Sequence, residues 1–355
     1  MINPTASFRV GACLLAFAIS ALSVGAARAD TQGFAFKQAI AEGAAKDKDI
    51  AAFYKERDYE SLWTGKGADK QRRKALVHAL KRAEYHGLPD ASGRVRDLLA
   101  QMEAARGPRA RGLLEVAMSR SFLDISAELQ SGVVNPKGLY DQMERRAATR
   151  TRGSYLANFA QSSPTAFFKA LPPQSHTYKA LTKHKVLLEN VVDRGGWGPQ
   201  VSLETLRPGD AGSQVVALRN RLMKMGYLAR STSATYDEKL TLAVRRFQAA
   251  HGLEQDGVAG PGTLGEVNVA ARARLKSVLV AMERERWLNK ERGERCVPVK
   301  LTDFTARIID HDAVTFETRS VVGKNQSDRR SPEFSDVMSH MVINPSWYVP
   351  RSIIR

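Results

Sequence analysis

The chain has 355 residues, of which 43% are hydrophobic and 26% are charged. This composition excludes an intrinsically disordered chain, and the length allows two or three domains. The formal charge of +17 favours anionic partners. The basic residues lie in short, dispersed clusters such as Arg72-Arg73-Lys74. No long basic run interleaved with aromatic residues occurs, so the pattern does not favour a nucleic-acid-binding protein.

Residues 1–29 have the pattern of a secretory signal peptide. Arg9 supplies the positive charge, residues 10–26 are an apolar run, and Ala27-Arg28-Ala29 is a small-residue cleavage site. The apolar run is short for a membrane span, so an uncleaved anchor is the less favoured alternative. Cleavage lowers the formal charge from +17 to +15, because Arg9 and Arg28 are removed.

The mature chain is predicted to work outside the cytoplasm, in the periplasm. Cleavage also removes Cys13, which leaves Cys296 as the one cysteine, so an internal disulfide is excluded. No later segment is long and apolar enough to span a bilayer, and we expect no stable membrane span after cleavage. The polyanions in that compartment are the cell wall and membrane surfaces rather than nucleic acid.

Residues 30–202 are predicted to form a helical bundle. Apolar residues recur there at helical spacing, and glycine and proline mark the segment ends. His86-Gly87 and Gly132 are expected helix ends, Pro172-Pro173 interrupts the chain, and a further helix covers residues 178–192.

Residues 203–268 are predicted to form a compact module of three helices. Asp210 and Asp237 are the expected N-caps of the first two helices, and Gly226 ends the first. The third helix follows a turn that contains Asp256-Gly257, and Pro261 stands at its first position.

A linking helix is predicted within residues 269–295, and residues 296–355 then change to the alternating pattern of strands. His311-Asp312 is the expected turn of a hairpin. The predicted strands are 297–299, 306–309 and 314–322, with further short candidates at 338–343 and 348–349. The fold class is therefore mainly α, with an incomplete β-rich domain at the end.

The segment from 207 to 268 resembles a peptidoglycan-binding module, because many turn and core residues fall at the right spacings together. Its motifs are Arg207-Pro208-Gly209-Asp210, Val215-x-x-Leu218-x-x-x-Leu222, Gly226-Tyr227-Leu228, Tyr236-Asp237, Phe247-Gln248, His251-Gly252-Leu253 and Asp256-Gly257-x-x-Gly260-Pro261. The resemblance implies glycan strands and stem peptides of peptidoglycan as partners. Arg207, Arg219 and Arg221 are candidates for contact with stem-peptide carboxylates, although a plain solvated role is favoured for each.

The helical half resembles the scaffold domain of murein L,D-transpeptidases, in which the binding module is set between the scaffold and the catalytic domain. The matching motifs are Phe53-Tyr54-x-x-Arg57-x-Tyr59-x-x-Leu62-Trp63, Ala79-Leu80-x-x-Ala83-x-x-His86-Gly87-Leu88, Leu171-Pro172-Pro173 and Gly195-Gly196-Trp197.

After residue 270 the chain resembles the entry into a YkuD-type catalytic domain. The matching motifs are Met282-Glu283-Arg284-x-Arg286-Trp287-Leu288, Val321-Val322-Gly323-Lys324 and Ile343-Asn344-Pro345-x-Trp347. Lys300 and Ser331 depart from the family pattern, which favours Asn and Thr there. The resemblance divides the chain into a signal peptide at 1–29, a scaffold at 30–202, the module at 203–268, a linking helix at 269–295 and part of a catalytic domain at 296–355.

The family reaction needs a cysteine thiolate within a Ser-x-Gly-Cys-x-Arg stretch, and this stretch occurs nowhere in residues 1–355. A small half-buried residue is the favoured interpretation of Cys296, and neither His311 nor His340 has a recognisable nucleophile partner. We therefore assign no catalytic residue and predict a C-terminally truncated, inactive member of the family. Residues 296–355 are then expected to be poorly ordered or aggregation-prone alone.

The seven histidines are scattered without metal-ligand spacing, so no metal or cofactor is expected. A non-catalytic wall-binding scaffold protein is the main alternative function. A basic binder of nucleic acid or membrane surfaces is a further alternative, which the signal peptide and the module motifs disfavour.

Overall fold

The computed structural model describes residues 31–139, 143–289, 293–326, 329–351 and 353–354. The predicted signal peptide, residues 1–29, lies outside these described residues. Two compact units are present: a larger one formed by the chain up to 134 and by 147–291, and a smaller one formed by 135–146 and by the chain from 292.

The first part of the larger unit is a helical bundle, as the apolar periodicity predicted. Its helices are α1 over residues 31–44, α2 Lys48–Glu56, α3 Ala68–Lys81, α4 Ala91–Ala104, α5 Gly107–Ser131, α6 Arg152–Gln161, α7 Pro164–Ala170 and α8 His176–Asp193. The core is aromatic at its centre, where the ring centroid of Phe159 lies 5.3 Å from that of Trp63 and 4.5 Å from that of Phe122. All three side chains are buried, so this cluster holds α5 and α6 against the loop that follows α2.

A buried carboxylate orders that loop. Glu115 on α5 accepts hydrogen bonds from the backbone amides of Leu62, Trp63 and Thr64 and from the Tyr54 hydroxyl. Burial raises the pKa of Glu115, and the three amide donors oppose this rise by favouring the charged form. The loop amides thus find their acceptor inside the core.

The second part of the larger unit contains four more helices, α9 Ser213–Lys224, α10 Glu238–Ala250, α11 Pro261–Asn268 and α12 Ala271–Trp287. Helix α12 packs along α8, so the chain returns to the bundle after the three helices of the module. Gly87, Gly132 and Gly226 have φ angles of 71°, 90° and 84° at the predicted helix ends. A side chain is strained in this left-handed region, which explains the choice of glycine.

The smaller unit contains a short antiparallel sheet with strands β1 Arg295–Cys296, β2 Val299–Lys300, β3 Thr305–Asp310 and β4 Ala313–Arg319. Strands β1 and β2 pair in succession along one edge of β3, and β4 pairs with its other edge. His311 and Asp312 connect β3 to β4 with φ angles of 47° and 65°. Two positive φ angles match a type I′ hairpin turn, which confirms the predicted turn.

Four details differ from the sequence-based expectations. The predicted strand at 297–299 is interrupted, because β1 ends at Cys296 and β2 begins at Val299, and Pro298 between them has no amide to donate to a ladder. Helix α9 begins at Ser213 with Gly212 as its N-cap, and Asp210 instead accepts from the Arg207 amide at 2.7 Å. The segments 338–343 and 348–349 are not strands. Neither segment has a hydrogen-bonded partner strand within the described parts of the chain. An extended segment is a β-strand only where its backbone hydrogen-bonds to a neighbouring strand.

The predicted fold class, mainly α with a β-rich region at the end, is confirmed. Among the described residues, no helix combines the length and the apolar character that crossing a membrane requires.

Candidate functional site

The three helices α9 to α11 enclose a separate hydrophobic core. Its largest members are Phe247 and Tyr236, both buried, and the Tyr236 hydroxyl donates to the Gly257 carbonyl at 2.9 Å. The other buried residues are Val201, Leu206, Val215, Leu218, Leu222, Leu240, Ala243, Val244, Ala259, Leu264 and Val267. Two isolated bridges, Leu206 with Ala259 and Ala211 with Thr235, tie the loops to this core.

The helix starts of the module follow the predicted chemistry in two of three cases. Asp237 caps α10 by accepting from the Leu240 amide at 2.9 Å, and Pro261 opens α11. This bond is the main reason why the pKa of Asp237 is lowered, and the guanidinium of Arg219 adds to the effect. The first start, at α9, is the exception described above.

The turn between α10 and α11 is held by one buried amide side chain. Gln248 Nε2 lies 2.7 Å from Asp256 Oδ1 and 3.0 Å from the Val258 carbonyl, and its Oε1 accepts from the Gly257 amide at 3.0 Å. Gly257 has a φ of 78°, a conformation that strains any other residue. In the sequence Gln248 is only a polar residue next to the core position 247. Its role could not be predicted because its partners, residues 256–258, approach it only in the folded turn.

Two of the three candidate arginines hold the module together from inside. This corrects both roles considered for them, contact with stem-peptide carboxylates and a solvated surface position. Arg219 is buried and contacts Asp237 at 3.0 Å, Ser231 and the Thr235 carbonyl. Arg221 is buried and donates to the carbonyls of Val267, Gly198 and Pro199. Burial lowers the pKa of Arg221.

Neither of these two arginines can reach a wall polymer. The third candidate, Arg207, is exposed.

The exposed side of α10 carries two basic residues with an apolar residue between them. Lys239, Leu242 and Arg246 lie on this side at positions i, i+3 and i+7, and we call them the α10 face. Within the described chain neither Lys239 nor Arg246 forms an ion pair, and Leu242 is 44% exposed. Beside them, Arg245 packs over Gly257 in the turn, with Nε as the neighbouring atom. Such a surface can bind a carboxylate next to an apolar group.

An aromatic cluster lies at the end of α10. The His251 ring stacks on Phe247 with centroids 3.9 Å apart, and its Nδ1 lies 2.8 Å from the Phe247 carbonyl. Tyr227 meets Phe247 edge to face and remains partly exposed. Burial raises the pKa of the Tyr227 hydroxyl, so this group is neutral and available as a hydrogen-bond donor.

The residues considered for catalysis are not brought together. Cys296 is half-buried in β1, paired with Ile309. His311 lies in the hairpin turn, and His340 Nδ1 lies 2.9 Å from the adjacent Ser339 hydroxyl. Over the described ranges no hydrogen bond joins Cys296 to either histidine, and no group of three or more His, Cys, Asp or Glu side chains could hold a metal ion.

Comparison with protein families gives two matches. A family described as a scaffold domain matches residues 48–184, which cover α2 to the first half of α8. A family described as a putative peptidoglycan binding domain matches residues 211–266, which contain α9, α10, the turn held by Gln248 and most of α11. A search of curated proteins found no significant match.

The two family matches, in this order, are consistent with an L,D-transpeptidase-like architecture. The second match supports peptidoglycan as a partner and a cell-wall-associated location.

Proposed function

We propose that this chain is an exported cell-wall protein of the murein L,D-transpeptidase kind, which binds peptidoglycan through residues 203–268. The observation that carries the proposal is the match of residues 211–266 to a peptidoglycan-binding family, on a module whose own core and turn are complete. The scaffold match at 48–184 and the predicted signal peptide at 1–29 support the wider role in murein cross-linking and remodelling in the periplasm.

The α10 face is the proposed contact surface for stem peptides. Stem peptides carry carboxylates and small apolar side chains, and the face offers Lys239 and Arg246 on either side of Leu242. A charge-assisted hydrogen bond contributes about 1.5–3 kcal/mol, so loss of one such contact lowers affinity about tenfold or more. Because both cations lack an ion-pair partner in the described chain, no internal contact has to be broken first.

The test is co-sedimentation of the chain from residue 30 onward with purified sacculi. The double variant K239A/R246A removes both contacts and is expected to bind at least about tenfold more weakly than the parent. The matched control is K179A/R272A, which removes one exposed lysine and one exposed arginine from α8 and α12. Equal binding by the parent and K239A/R246A would remove the α10 face from the proposal, and no binding by the parent would overturn wall binding itself.

A separate part of the proposal concerns catalysis. The 355 residues contain no Ser-x-Gly-Cys-x-Arg stretch, and Cys296 is half-buried in a strand, so we propose that this chain does not itself supply the thiolate. The residues 296–355 resemble the entry into the catalytic domain. Incubation with tetrapeptide-bearing muropeptides is expected to give no cross-linked product, and a cross-linked product that disappears in C296A would make Cys296 the nucleophile.

The second candidate function is that of a non-catalytic wall-binding scaffold protein. It is favoured by the same absence of the cysteine stretch and by the well-formed helical core. This function predicts that the chain binds sacculi. It also predicts that supplying the chain to a strain that lacks the protein leaves the cross-linking of the wall unchanged. A change in the cross-linked fraction of the wall that depends on this chain supports the transpeptidase role instead.

A further inference from the structure

A row of basic side chains runs along one side of α3 and continues at its C-cap residue, Arg82. Lys70, Lys74, His78 and Arg82 follow one another at intervals of four residues, and Lys81 stands beside the last. All five are exposed. With a rise of 1.5 Å per residue the row extends over about 18 Å. We call these five residues the α3 basic stripe.

The stripe is not neutralised by the protein. Over the part of the chain that the structure describes, Lys70, Lys74 and Lys81 form no ion pair, and Arg82 lies over the ring of Tyr85, 4.4 Å from its centroid. The one acid on α3, Asp69, is buried and is held by Arg72 at 2.9 Å.

Some other exposed basic residues of the same bundle are paired. Lys37 contacts Asp58 at 2.6 Å, and Arg109 contacts Glu42 at 2.7 Å. Others, such as Lys48 and Lys179, form no ion pair in the described chain, but they stand on different helices. The stripe differs from them because its five basic residues lie together.

This arrangement has an energetic cost in the isolated protein. Like charges four residues apart destabilise a helix by about 0.2–0.5 kcal/mol per pair. Lys70 also lies in the first turn of α3, where the helix dipole disfavours a cation, and the N-cap Gly67 provides no side-chain acceptor. An anionic partner along the stripe removes both penalties.

Apolar groups lie at one end of the stripe. Tyr85 is 42% exposed and Leu99 is 41% exposed. Leu99 and Val95 line a groove of about 570 Å³ between α3 and α4, which Lys81 also lines. Two acidic residues, Glu84 and Glu103, also line this groove.

We propose that the α3 basic stripe docks on the surface of an anionic phospholipid bilayer. Lysines near such a surface contribute about 1 kcal/mol each, and their methylene stems reach along the interface. Tyr85 and Leu99 supply side chains that enter the interfacial region, where tyrosine is favoured. A hydrophilic glycan chain offers no comparable environment for Leu99. This inference is independent of wall binding, because the stripe lies outside the module.

The test is flotation of the chain from residue 30 onward, which contains every described residue and lacks the apolar run at 10–26. Vesicles of phosphatidylglycerol mixed with phosphatidylcholine are compared with vesicles of phosphatidylcholine alone. The parent is expected to bind only the anionic vesicles, and less strongly at higher salt. The variant K70Q/K74Q/K81Q is expected to lose about a hundredfold in affinity for them.

The matched control is K48Q/K179Q/K276Q, which removes three exposed lysines from α2, α8 and α12. It has the same net charge as the stripe variant and is expected to bind at least tenfold more tightly than that variant. Equal losses in the two triple variants would mean that total charge, and not the stripe, drives binding. Binding of the parent to sacculi that is lost in the stripe variant, without vesicle binding, assigns the stripe to a wall polymer and overturns the proposal. Circular dichroism of each variant checks that the helices are retained.

Discussion

Glu283 and Arg286 form a buried ion pair on α12, with Oε2 of the carboxylate 2.6 Å from Nη2 of the guanidinium. Each partner also reaches the scaffold. Glu283 accepts from the backbone amides of Val133 and Val134 at 2.7 and 2.9 Å, and Arg286 donates to the His86 carbonyl at 2.8 Å. The helix that follows the module in sequence is thereby fastened to the bundle that precedes it.

Loss of one partner of this pair is expected to be strongly destabilising. In Glu283→Ala the guanidinium of Arg286 stays buried without a counterion, and two backbone amides lose their acceptor. We expect the free energy of unfolding to fall by about 3–5 kcal/mol, as measured by urea denaturation. Glu285→Ala is the matched control, since Glu285 is a less buried glutamate of the same helix. A fall of less than about 1 kcal/mol in Glu283→Ala contradicts the assigned role.

His86 is expected to make stability depend on pH. Burial is the main cause that lowers its pKa from 6.5 to about 4, and the positive charges of Arg82, Arg286 and Lys185 contribute. The Tyr178 hydroxyl lies 3.1 Å from Nδ1. The unfolded chain binds a proton at higher pH than the folded chain does, so stability is full above pH 6.5 and is lost as the pH falls towards 4.

We expect His86 to account for a fall of about 3 kcal/mol in the free energy of unfolding between pH 7 and pH 4. Urea denaturation at several pH values measures it. In His86→Gln the dependence over this window is expected to be shallower, because glutamine does not titrate. His184→Gln, which changes an exposed histidine of α8, is expected to leave the slope unchanged. Parallel slopes for the parent and His86→Gln would assign the effect to other groups.

Gln248→Ala is expected to loosen the turn before α11 and to weaken sacculus binding indirectly. The substitution leaves the Gly257 amide and the Val258 carbonyl without their partner, at about 1–3 kcal/mol for a buried unsatisfied group. Hydrogen exchange at residues 256–258 should accelerate while exchange in α5 stays unchanged. The control is Gln214→Ala, where the side chain accepts one exposed amide, that of Ser202. Unchanged exchange at the turn would contradict the role of Gln248.

The sequence predicted the features that depend on local chemistry. The cap at Asp237, the proline at the start of α11 and the turn at His311-Asp312 are confirmed, because each is decided by a few neighbouring residues. For Arg219 and Arg221 both the predicted contact with stem peptides and the predicted solvated role were wrong. Their guanidinium groups bind the carbonyl of Thr235 and the carbonyls of residues 198, 199 and 267. A helical pattern shows which positions are apolar, but it does not show where distant loops place their carbonyl groups.

The same reasoning explains what was missed in the scaffold. Glu115 and Glu283 occupy helix positions among apolar residues, and nothing in the local pattern distinguishes a buried carboxylate from a solvated one. Their partners are backbone amides at 62–64 and 133–134, far away in sequence. The strand predictions for 338–343 and 348–349 were wrong because the alternating pattern predicts an extended segment but does not specify a partner strand.

Arg221 is expected to be essential for closing the module, although it forms no ion pair with an acidic side chain among the described residues. Its guanidinium donates to three backbone carbonyls, of Val267 at the end of α11 and of Gly198 and Pro199 before the module. In Arg221→Met the packing volume is largely kept but the carbonyls lose their donor. We expect a loss of about 3 kcal/mol, because hydrogen bonds to charged groups contribute about 1.5–3 kcal/mol each and are not additive.

Arg221→Lys distinguishes charge from geometry in this interaction. A lysine ammonium keeps the charge but lacks the planar guanidinium, whose several N–H groups reach the carbonyls of residues 267, 198 and 199 together. We therefore expect only partial recovery of stability relative to Arg221→Met. Arg230→Met, which changes an exposed arginine of the same module, is the control and should lie within about 0.5 kcal/mol of the parent. Urea denaturation followed by tryptophan fluorescence suits the measurement, because Trp197 adjoins Gly198. If Arg221→Met is as stable as Arg230→Met, these carbonyls are satisfied by water and the ends of the module are held together by its apolar core alone.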